Sequence, residues 1–301
     1  MRIMFNEVKN NKIKSVFLML VFILVIGVLG AIIGIFYDNL YFGLSIAVIF
    51  SLIYSMIGFY SGKNMILSMS GAKPATKKEY PHLYHTIEGL AISAGIPTPQ
   101  AYVIDDSALN AFATGRDPKN ASITVTTGLL KTMSRQELEG VIGHEMSHIK
   151  NYDIRFMMLT AVLVGIVVLL SDFLLRSFLW GGHGGKRDSK GSGQITVVLI
   201  AVGLVLAILA PIIGELVKLA ISRKREFMAD ASGAVLTRYP PGLASALRKI
   251  SKDPDPLVDK ANKATAHLFI STPFRKQTGF VTNLFLTHPP IEERIKRLEA
   301  M

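Results

Sequence analysis

The sequence predicts a mainly α-helical fold with a small β-sheet, in which four apolar helices form a membrane anchor for polar, largely helical segments. Half of the 301 residues are hydrophobic and the mean hydropathy is +0.39, a composition typical of membrane proteins. Four long apolar runs interrupt the chain. The polar stretches between them combine helically spaced apolar residues with two short segments rich in β-branched residues.

The net charge of +11 is concentrated at the ends of the apolar runs. That placement favours contact with the anionic headgroups of a lipid bilayer. No basic segment rich in aromatic residues is present, so we expect no nucleic-acid partner. The chain has no cysteine, which excludes disulfides and thiolate metal ligands and leaves His, Asp and Glu as the possible ligands.

Residues 1–61 are expected to form a transmembrane hairpin. Ser15 to Tyr37 is uncharged and long enough to cross a hydrocarbon core of about 30 Å, and Leu40 to Tyr60 follows at once. A cleaved signal peptide is the competing interpretation, but the first run is too long for a signal core. Basic residues flank both outer ends of the pair, which predicts that both ends are cytoplasmic.

Residues 62–153 are expected to form the first part of a cytoplasmic domain. Glu79 to Gly95 predicts an amphipathic helix, and two short strands are predicted on either side of a loop at 110–120. The strands are Gln100 to Ile104 and Ser122 to Thr126. An edge strand can pair with an extended peptide, which makes Ser122, Thr124 and Thr126 candidate substrate-binding residues. An ordinary core strand is an equally simple interpretation.

The most informative segment is Ser134 to Asp153, which contains His144, Glu145 and His148 in the order H-E-x-x-H. Residues four apart on a helix lie one turn apart on one face, so both imidazoles can bind one cation. Zn²⁺ accepts neutral imidazole and lowers the pKa of bound water to about 7. Glu145 is then placed to act as general base, and a capping box formed by Ser134 and Glu137 predicts the helix itself.

Residues 154–221 are expected to form a second transmembrane hairpin, with spans at 155–175 and 195–221 joined by a glycine-rich loop at 180–193. The loop lacks the spacing of a phosphate-binding loop and predicts a flexible connector. Pro211 and Glu215 interrupt the last apolar run. They indicate either a kinked span or one that lines a polar cavity, although Glu215 near the interface is the simpler interpretation.

Residues 222–301 are expected to complete the cytoplasmic domain and to supply the third metal ligand. Glu226 and Asp230 lie four apart on one predicted helix face. A hydrolytic zinc site with two histidines needs a third protein ligand, for which Glu226 is the candidate. Asp230 is the candidate acceptor for the free N–H of a ligating imidazole. His288 precedes a predicted helix start and could stabilise the oxyanion of a tetrahedral intermediate.

Taken together, these motifs resemble the HtpX-type membrane zinc metalloproteases, relatives of the CAAX-prenyl endopeptidases. The resemblance extends over nearly the whole chain. It rests on the early hairpin and on four motifs in order: NAFATG at 110–115, GHEMSH at 143–148, SRKREFMADASGA at 222–234 and HPPIEERI at 288–295.

The resemblance implies a zincin-like (gluzincin) cytoplasmic metalloprotease domain carried by a four-span anchor in the cell membrane. It implies one Zn²⁺ per chain, bound by His144, His148 and Glu226, with Glu145 as general base and acid and His288 as a further catalytic residue. It also implies that Asn110 contacts the substrate strand or oxyanion. Arg294 is a weaker candidate, since it could simply pair with Glu226, Asp230 or Glu293. The implied substrates are damaged or misfolded membrane proteins and unfolded polypeptides, cleaved as part of a stress response.

Two other interpretations of the residues stay open. The chain could be a membrane scaffold or transporter with a structural metal, a function that would use Glu215 and Pro211. A site with two histidines and one carboxylate, however, leaves a coordination position open, as catalytic zinc does. A catalytically inactive relative that only binds partners is disfavoured, because Glu145 is present.

Overall fold

The computed structural model describes residues 2–36, 38–163, 165–166, 223–253, 268–270 and 289–301. Two long helices lead the chain, α1 (Arg2–Phe36) and α2 (Leu40–Met69). A small sheet and three helices follow: β1 (Lys73–Pro74), α3 (Pro81–Ala94), β2 (Gln100–Ile104), β3 (Ala111–Gly115), β4 (Ala121–Thr126), α4 (Thr127–Thr132) and α5 (Arg135–Lys150). A helical segment at 153–163 comes next, then α6 (Arg223–Thr237), α7 (Pro240–Ser251) and α8 (Ile291–Glu299).

Helices α1 and α2 form the expected N-terminal hairpin, and both are long and apolar enough to cross a membrane. They pack closely because a glycine stands at the crossing: a Cβ on Gly30 would lie 2.7 Å from the carbonyl oxygen of Gly43. Both helices extend further than the apolar runs predicted. The polar residues before Ser15 continue α1, and α2 runs past Tyr60 to Met69. Side chains on these polar turns bond to distant residues, as Asn11 does to Asp153 and Lys63 to Gln100.

The sheet has the order β1-β2-β4-β3. Strand β4 pairs in parallel with β2, so that Tyr102 lies opposite Thr124, and in antiparallel fashion with β3. The predicted strands Gln100 to Ile104 and Ser122 to Thr126 are confirmed. The predicted loop at 110–120 is wrong in part, because β3 lies within it. Its residues are mostly small and have weak β-propensity, so pairing with β4 stabilises the strand rather than local preference.

The described residues form two apolar cores, and both include residues of the sheet. One lies between α3, the sheet, α5 and α7, and the other joins the inner faces of α1 and α2 to the segment at 153–163. Helix α3 matches its prediction and ends at Gly95, whose φ of 69° is the left-handed conformation that glycine adopts readily. Helix α5 packs in the first of these cores, with most of its length buried.

The expected second transmembrane hairpin lies almost entirely outside the described residues. Only the beginning of its first span, at 155–163 and 165–166, is described. The span at 195–221, the loop at 180–193 and His288 also lie outside them.

Candidate metal centre

Helix α5 holds His144 and His148 on one buried face, one turn apart. The helix begins at the predicted capping box, in which the Ser134 hydroxyl accepts from the N–H of Glu137 and the Glu137 carboxylate accepts from the N–H of Ser134. The Nε2 atoms of the two imidazoles lie 3.2 Å apart. The helical spacing read from the sequence therefore brings both rings to one point.

Glu226 reaches the same point from α6. Its carboxylate oxygens lie 3.8 Å from His144 Nε2 and 3.4 Å from His148 Nε2. Helices α5 and α6 approach this closely because Gly233 has no side chain: a Cβ there would lie 2.8 Å from the backbone nitrogen of His144. The small residue at 233 thus sets the distance between Glu226 and the histidines.

Each histidine has a carboxylate on its Nδ1 side. Asp230 Oδ1 lies 2.9 Å from His144 Nδ1, and Asp153 Oδ2 lies 3.0 Å from His148 Nδ1. These contacts assign the imidazole protons to Nδ1, so the two Nε2 lone pairs face each other across 3.2 Å. Two lone pairs at that distance repel each other unless a cation lies between them.

The donor set fits a tetrahedral cation. Metal–ligand bonds of about 2.0–2.1 Å at tetrahedral angles separate neighbouring ligand atoms by about 3.3 Å. The measured separations of 3.2, 3.4 and 3.8 Å lie near that value, and one atom from each of His144, His148 and Glu226 lies within 4.8 Å of the other two. Three protein ligands leave one tetrahedral corner open, as in catalytic rather than structural zinc sites.

The charges around the histidines also fit a divalent cation. Within the described ranges, four buried carboxylates and two buried guanidinium groups lie close to the two rings: Glu145, Asp153, Glu226 and Asp230, with Arg225 and Arg294. The excess of carboxylates over guanidinium groups favours a bound cation. It also acts on His148: burial lowers the pKa of that imidazole, but hydrogen bonds with Asp153 and Glu226 outweigh burial and raise it well above its ordinary value.

Arg294 of α8 lies behind Asp230 and pairs with it, which was the simpler of the two interpretations of this residue. Its Nε and Nη2 donate to the two Asp230 oxygens at 2.8 and 2.7 Å, and Nη1 lies 3.5 Å from Glu226. Burial alone would raise the pKa of Asp230, but the guanidinium and the His144 hydrogen bond lower it to about 2. Because the side chain is fully buried, Arg294 fixes carboxylates of the centre instead of meeting substrate.

Glu145 lies on α5 beside the two histidines and is almost completely buried. Burial is the largest influence on its carboxyl group and raises the pKa, against the attraction of the histidines. The backbone N–H of Ala113 in β3 donates to the same carboxylate. A buried carboxyl with a raised pKa, held beside the two histidines, suits proton transfer in both directions.

Strand β4 is not an edge strand, so the edge-strand interpretation of Ser122 to Thr126 is wrong. It has β2 on one side and β3 on the other, and Ser122, Thr124 and Thr126 are all buried. Instead, the Thr126 hydroxyl accepts from the N–H of Leu129 and so caps α4. The strand at the edge of the sheet beside α5 is β3.

Asn110 lies at the start of β3, where it is buried and its carbonyl accepts from the N–H of Thr126. Since antiparallel strands alternate, Ala111, Ala113 and Gly115 direct their backbone groups away from β4. The carbonyl of Ala111 already accepts from the N–H of Ile270. Because the outward-facing N–H of Ala113 donates to Glu145, the outer edge of β3 passes directly beside that carboxylate.

Two contributors to the centre were missed by sequence reasoning. Asp153 orients His148, and Asn11 of α1 donates through Nδ2 to Asp153 Oδ1 at 2.6 Å and to the carbonyl of Asn151 at 3.0 Å. An acidic residue just beyond the second histidine was the available signal for Asp153. Nothing in the sequence indicates the contact of Asn11, which lies 140 residues away from Asn151.

Comparison with known proteins agrees with this geometry. The profile of peptidase family M48 matches residues 77–301. A protease HtpX homolog from Dictyoglomus thermophilum is 52% identical over 248 residues, which cover 81% of this chain and 78% of that protein. A protease HtpX homolog from Streptococcus mutans is 44% identical over 301 residues, covering 99% of this chain and all of that protein.

Among solved structures, the crystal structure of S. mikatae Ste24p is similar, with a TM-score of 0.49 and 19% sequence identity over 97% of this chain and 66% of that one. The family profile covers most of the chain, and the sequence relatives cover nearly all of it. With two apolar helices of membrane-spanning length and a buried His-His-Glu group, this chain belongs to peptidase family M48 as an HtpX-type, membrane-associated metalloprotease.

Proposed function

We propose that this chain is a zinc endopeptidase of the cell membrane that cleaves damaged or misfolded membrane proteins and unfolded polypeptides. The observation that carries the proposal is the convergence of His144, His148 and Glu226 on one point, with Glu145 beside them. The donor set contains two imidazoles and one carboxylate and leaves one position open, which suits zinc in a hydrolytic role.

When bound, zinc would polarise the scissile carbonyl and make water a nucleophile near neutral pH. Glu145 accepts the proton of the attacking water and then donates it to the leaving amine, so no covalent intermediate with the protein is needed. His144 and His148 are held in the required tautomer by Asp230 and Asp153. Arg294 keeps Asp230 ionised, and His288 is proposed to stabilise the oxyanion.

The substrate is proposed to bind as an extended strand along the outer edge of β3 instead of β4. This edge brings a bound backbone next to Glu145, because the N–H of Ala113 donates to that carboxylate while the Ala113 carbonyl faces the same outer side. Asn110 at the start of the strand is proposed to assist at that edge. Pairing through backbone groups makes few demands on side chains, which fits a protease that takes unfolded chains.

We further propose a chain of four parts: a transmembrane hairpin at 1–61, a first protease part at 62–153, a second hairpin at 154–221 and a second protease part at 222–301. The zincin-like (gluzincin) domain would face the cytoplasm. The basic residues at the outer ends of α1 and α2 support this orientation. A reporter inserted at Gly184 should be accessible only from outside the cell, and accessibility only from inside would contradict the topology.

The function is tested by digestion of casein with detergent-solubilised protein, with and without a chelator. We expect cleavage that the chelator abolishes and added zinc restores. A Glu145→Gln variant should keep one zinc per chain while its cleavage rate falls by about 10²–10⁴-fold, since the general base is lost. Glu226→Ala should lose both zinc and activity.

Glu139→Gln serves as the matched control, because Glu139 lies on the same helix and its side chain is partly exposed. It should cleave like the parent protein. A Glu145→Gln protein that still hydrolysed casein at the parent rate would rule out the mechanism. Zinc bound without any cleavage by the parent protein would favour the alternative, a scaffold or transporter with a structural metal.

A further inference from the structure

A small polar cavity lies where α2 leaves the predicted membrane region. Its volume is about 180 Å³, and it opens between α2, the connection from β3 to β4, and the helical segment at 153–163. The residues around it include Tyr60, Lys63 and Asn64 of α2, Arg116 and Asn120 of the connection, and Met158. No acidic residue lines it among those the structure describes.

Two cations, Lys63 and Arg116, line this cavity, and a third, Arg155, contacts Arg116; all three are held in place mainly by neutral groups. The Arg116 guanidinium lies 4.8 Å from the centre of the Tyr60 ring, and the Arg155 guanidinium lies 5.3 Å from that of Phe59. Arg155 also donates to the carbonyl of Arg116, and Lys63 donates to the side-chain oxygen of Gln100 at 2.9 Å.

One carboxylate lies against these cations in the described part of the chain: Asp117 is 3.3 Å from Arg116 Nε. Three positive groups facing one negative group leave the cluster with an excess of positive charge. Because the cations are fixed by rings and amide oxygens, they are ordered before any anion arrives. A phosphate group placed in the cavity would meet Lys63 and Arg116 at little further cost in side-chain entropy.

An apolar stripe on α2 leads directly to the cavity. Ile49, Ile53, Met56 and Tyr60 follow each other at helical spacing on one face, and each is more than half exposed in the described structure. Lys63 and Asn64 continue that face by one turn. The helix thus presents a long apolar surface that ends in an aromatic ring and a cationic cavity, the order of chemical groups along a phospholipid.

We propose that the cavity binds the phosphate of an anionic phospholipid, whose acyl chains lie along the stripe of Ile49, Ile53 and Met56. The stripe selects a lipid over free phosphate, because an ion without acyl chains gains nothing from it. The cations select an anionic headgroup over a zwitterionic one. Since Arg116 follows Gly115 directly, a bound lipid also holds the carboxyl end of β3, the strand that contacts Glu145.

The test uses the full chain in detergent, incubated with phosphatidylglycerol or with phosphatidylcholine of the same acyl chains, and counts retained lipids by native mass spectrometry. The parent protein should retain phosphatidylglycerol in preference. Lys63→Gln and Arg116→Gln should each weaken retention about fivefold, the factor that corresponds to about 1 kcal/mol per basic residue at a membrane surface. Lys119→Gln is the matched control.

Lys119 lies in the same connection, is exposed, and carries the same charge without lining the cavity. Its variant should retain lipid like the parent, and an equal loss in Lys119→Gln would show diffuse surface charge and overturn the proposal. Arg116→Lys, which keeps the positive charge, should retain lipid like the parent protein. That result would show that the loss in Arg116→Gln comes from the missing charge and not from misfolding. Displacement of phosphatidylglycerol by millimolar inorganic phosphate would assign the cavity to free phosphate and overturn the lipid assignment. Equal retention of phosphatidylglycerol and phosphatidylcholine would also overturn it.

Discussion

Asp153 is the residue on which the orientation of His148 depends. Its two oxygens serve different partners: Oδ2 faces His148 Nδ1, while Oδ1 accepts from Asn11 and lies 3.6 Å from Arg225. A metal-binding imidazole whose second nitrogen is fixed in this way loses little freedom on binding the ion. The carboxylate therefore contributes to metal affinity without touching the metal.

We predict that Asp153→Asn weakens zinc binding by about 10–100-fold, the usual effect of losing a charged partner of a metal-binding histidine. The amide keeps the shape of the side chain but loses the charge that stabilises the Nδ1–H donor. Zinc retention against a graded series of chelators measures the change. Asp117→Asn, which removes a carboxylate far from the histidines in sequence, should leave retention unchanged, and equal affinities in the two variants would contradict the role of Asp153.

At the same scale, the sequence predicted the grouping of His144, His148 and Glu226, and predicted the residues that support them only in part. The spacing within H-E-x-x-H fixes the geometry of His144 and His148 on any helix, so the local pattern was sufficient. Asp230 was predicted as a histidine partner because it lies one turn after Glu226. The burial of Arg294 could not be predicted, because it depends on how α8 packs against α6 rather than on the residues around it.

At the scale of elements, Glu137 joins α5 to α7. Its carboxylate accepts from the N–H of Ser134, from the Ser245 hydroxyl at 2.6 Å and from the Lys249 ammonium at 2.6 Å. Burial would raise the pKa of this carboxyl, but the hydrogen bonds outweigh it and lower the pKa to about 2. The ionised form is therefore the one that the folded protein stabilises.

We predict that this contribution to stability depends on pH in an acidic window. Because the folded pKa lies below the ordinary value of 4.5, the stabilisation is complete above about pH 5 and is lost as the pH falls towards 2. Allowing for screening at the partly exposed Lys249, it amounts to about 2 kcal/mol. Glu137→Gln should lower the thermal midpoint at pH 7 and flatten its change between pH 5 and 2, whereas Glu139→Gln should do neither.

The contact between α5 and α6 depends on Gly233. A Cβ at that position would lie 2.8 Å from the backbone nitrogen of His144 and 3.0 Å from the carbonyl carbon of Gly143, so the helices would have to separate. We predict that Gly233→Ala moves Glu226 away from the histidines and lowers zinc affinity by at least tenfold, as measured by chelator competition. Gly89→Ala is the control, since a Cβ there meets nothing within 4 Å.

Gly89→Ala should raise the thermal midpoint slightly, because alanine favours a helix interior over glycine by about 1 kcal/mol. Unchanged zinc affinity in Gly233→Ala would show that the helix spacing does not set the position of Glu226.

Among the elements, helices with clear periodicity and caps were predictable from sequence. Strand β3 was not, because its small residues form a strand only through the pairing that β4 supplies.

At the scale of the whole molecule, α1 ties the N-terminal hairpin to the metal centre. The Asn11 side chain is completely buried and bridges the carbonyl of Asn151, Asp153 and Arg225. Such a contact between distant parts of the chain cannot be read from local sequence. Through this contact, the N-terminal hairpin helps to hold the metal centre together, in addition to its role at the membrane.

We predict that Asn11→Leu lowers both the thermal midpoint and zinc retention. The substitution keeps side-chain volume but leaves the Asn151 carbonyl and an Asp153 oxygen without their donor, at a cost of about 1–3 kcal/mol. Ser51→Ala in α2 is the control, because the Ser51 hydroxyl is buried but donates within its own helix. A loss of stability with no change in zinc retention would limit Asn11 to a packing role.

The centre unites α1, α5, α6 and α8, and Arg294 meets His144 across 150 residues of sequence. During translation, the H-E-x-x-H helix is therefore complete before Arg294, whose guanidinium neutralises Asp230, has been added. The unfinished polypeptide carries both histidines but not the complete set of charges around them. The set of charges around the histidines is thus complete only after α8 has been synthesised, late in translation.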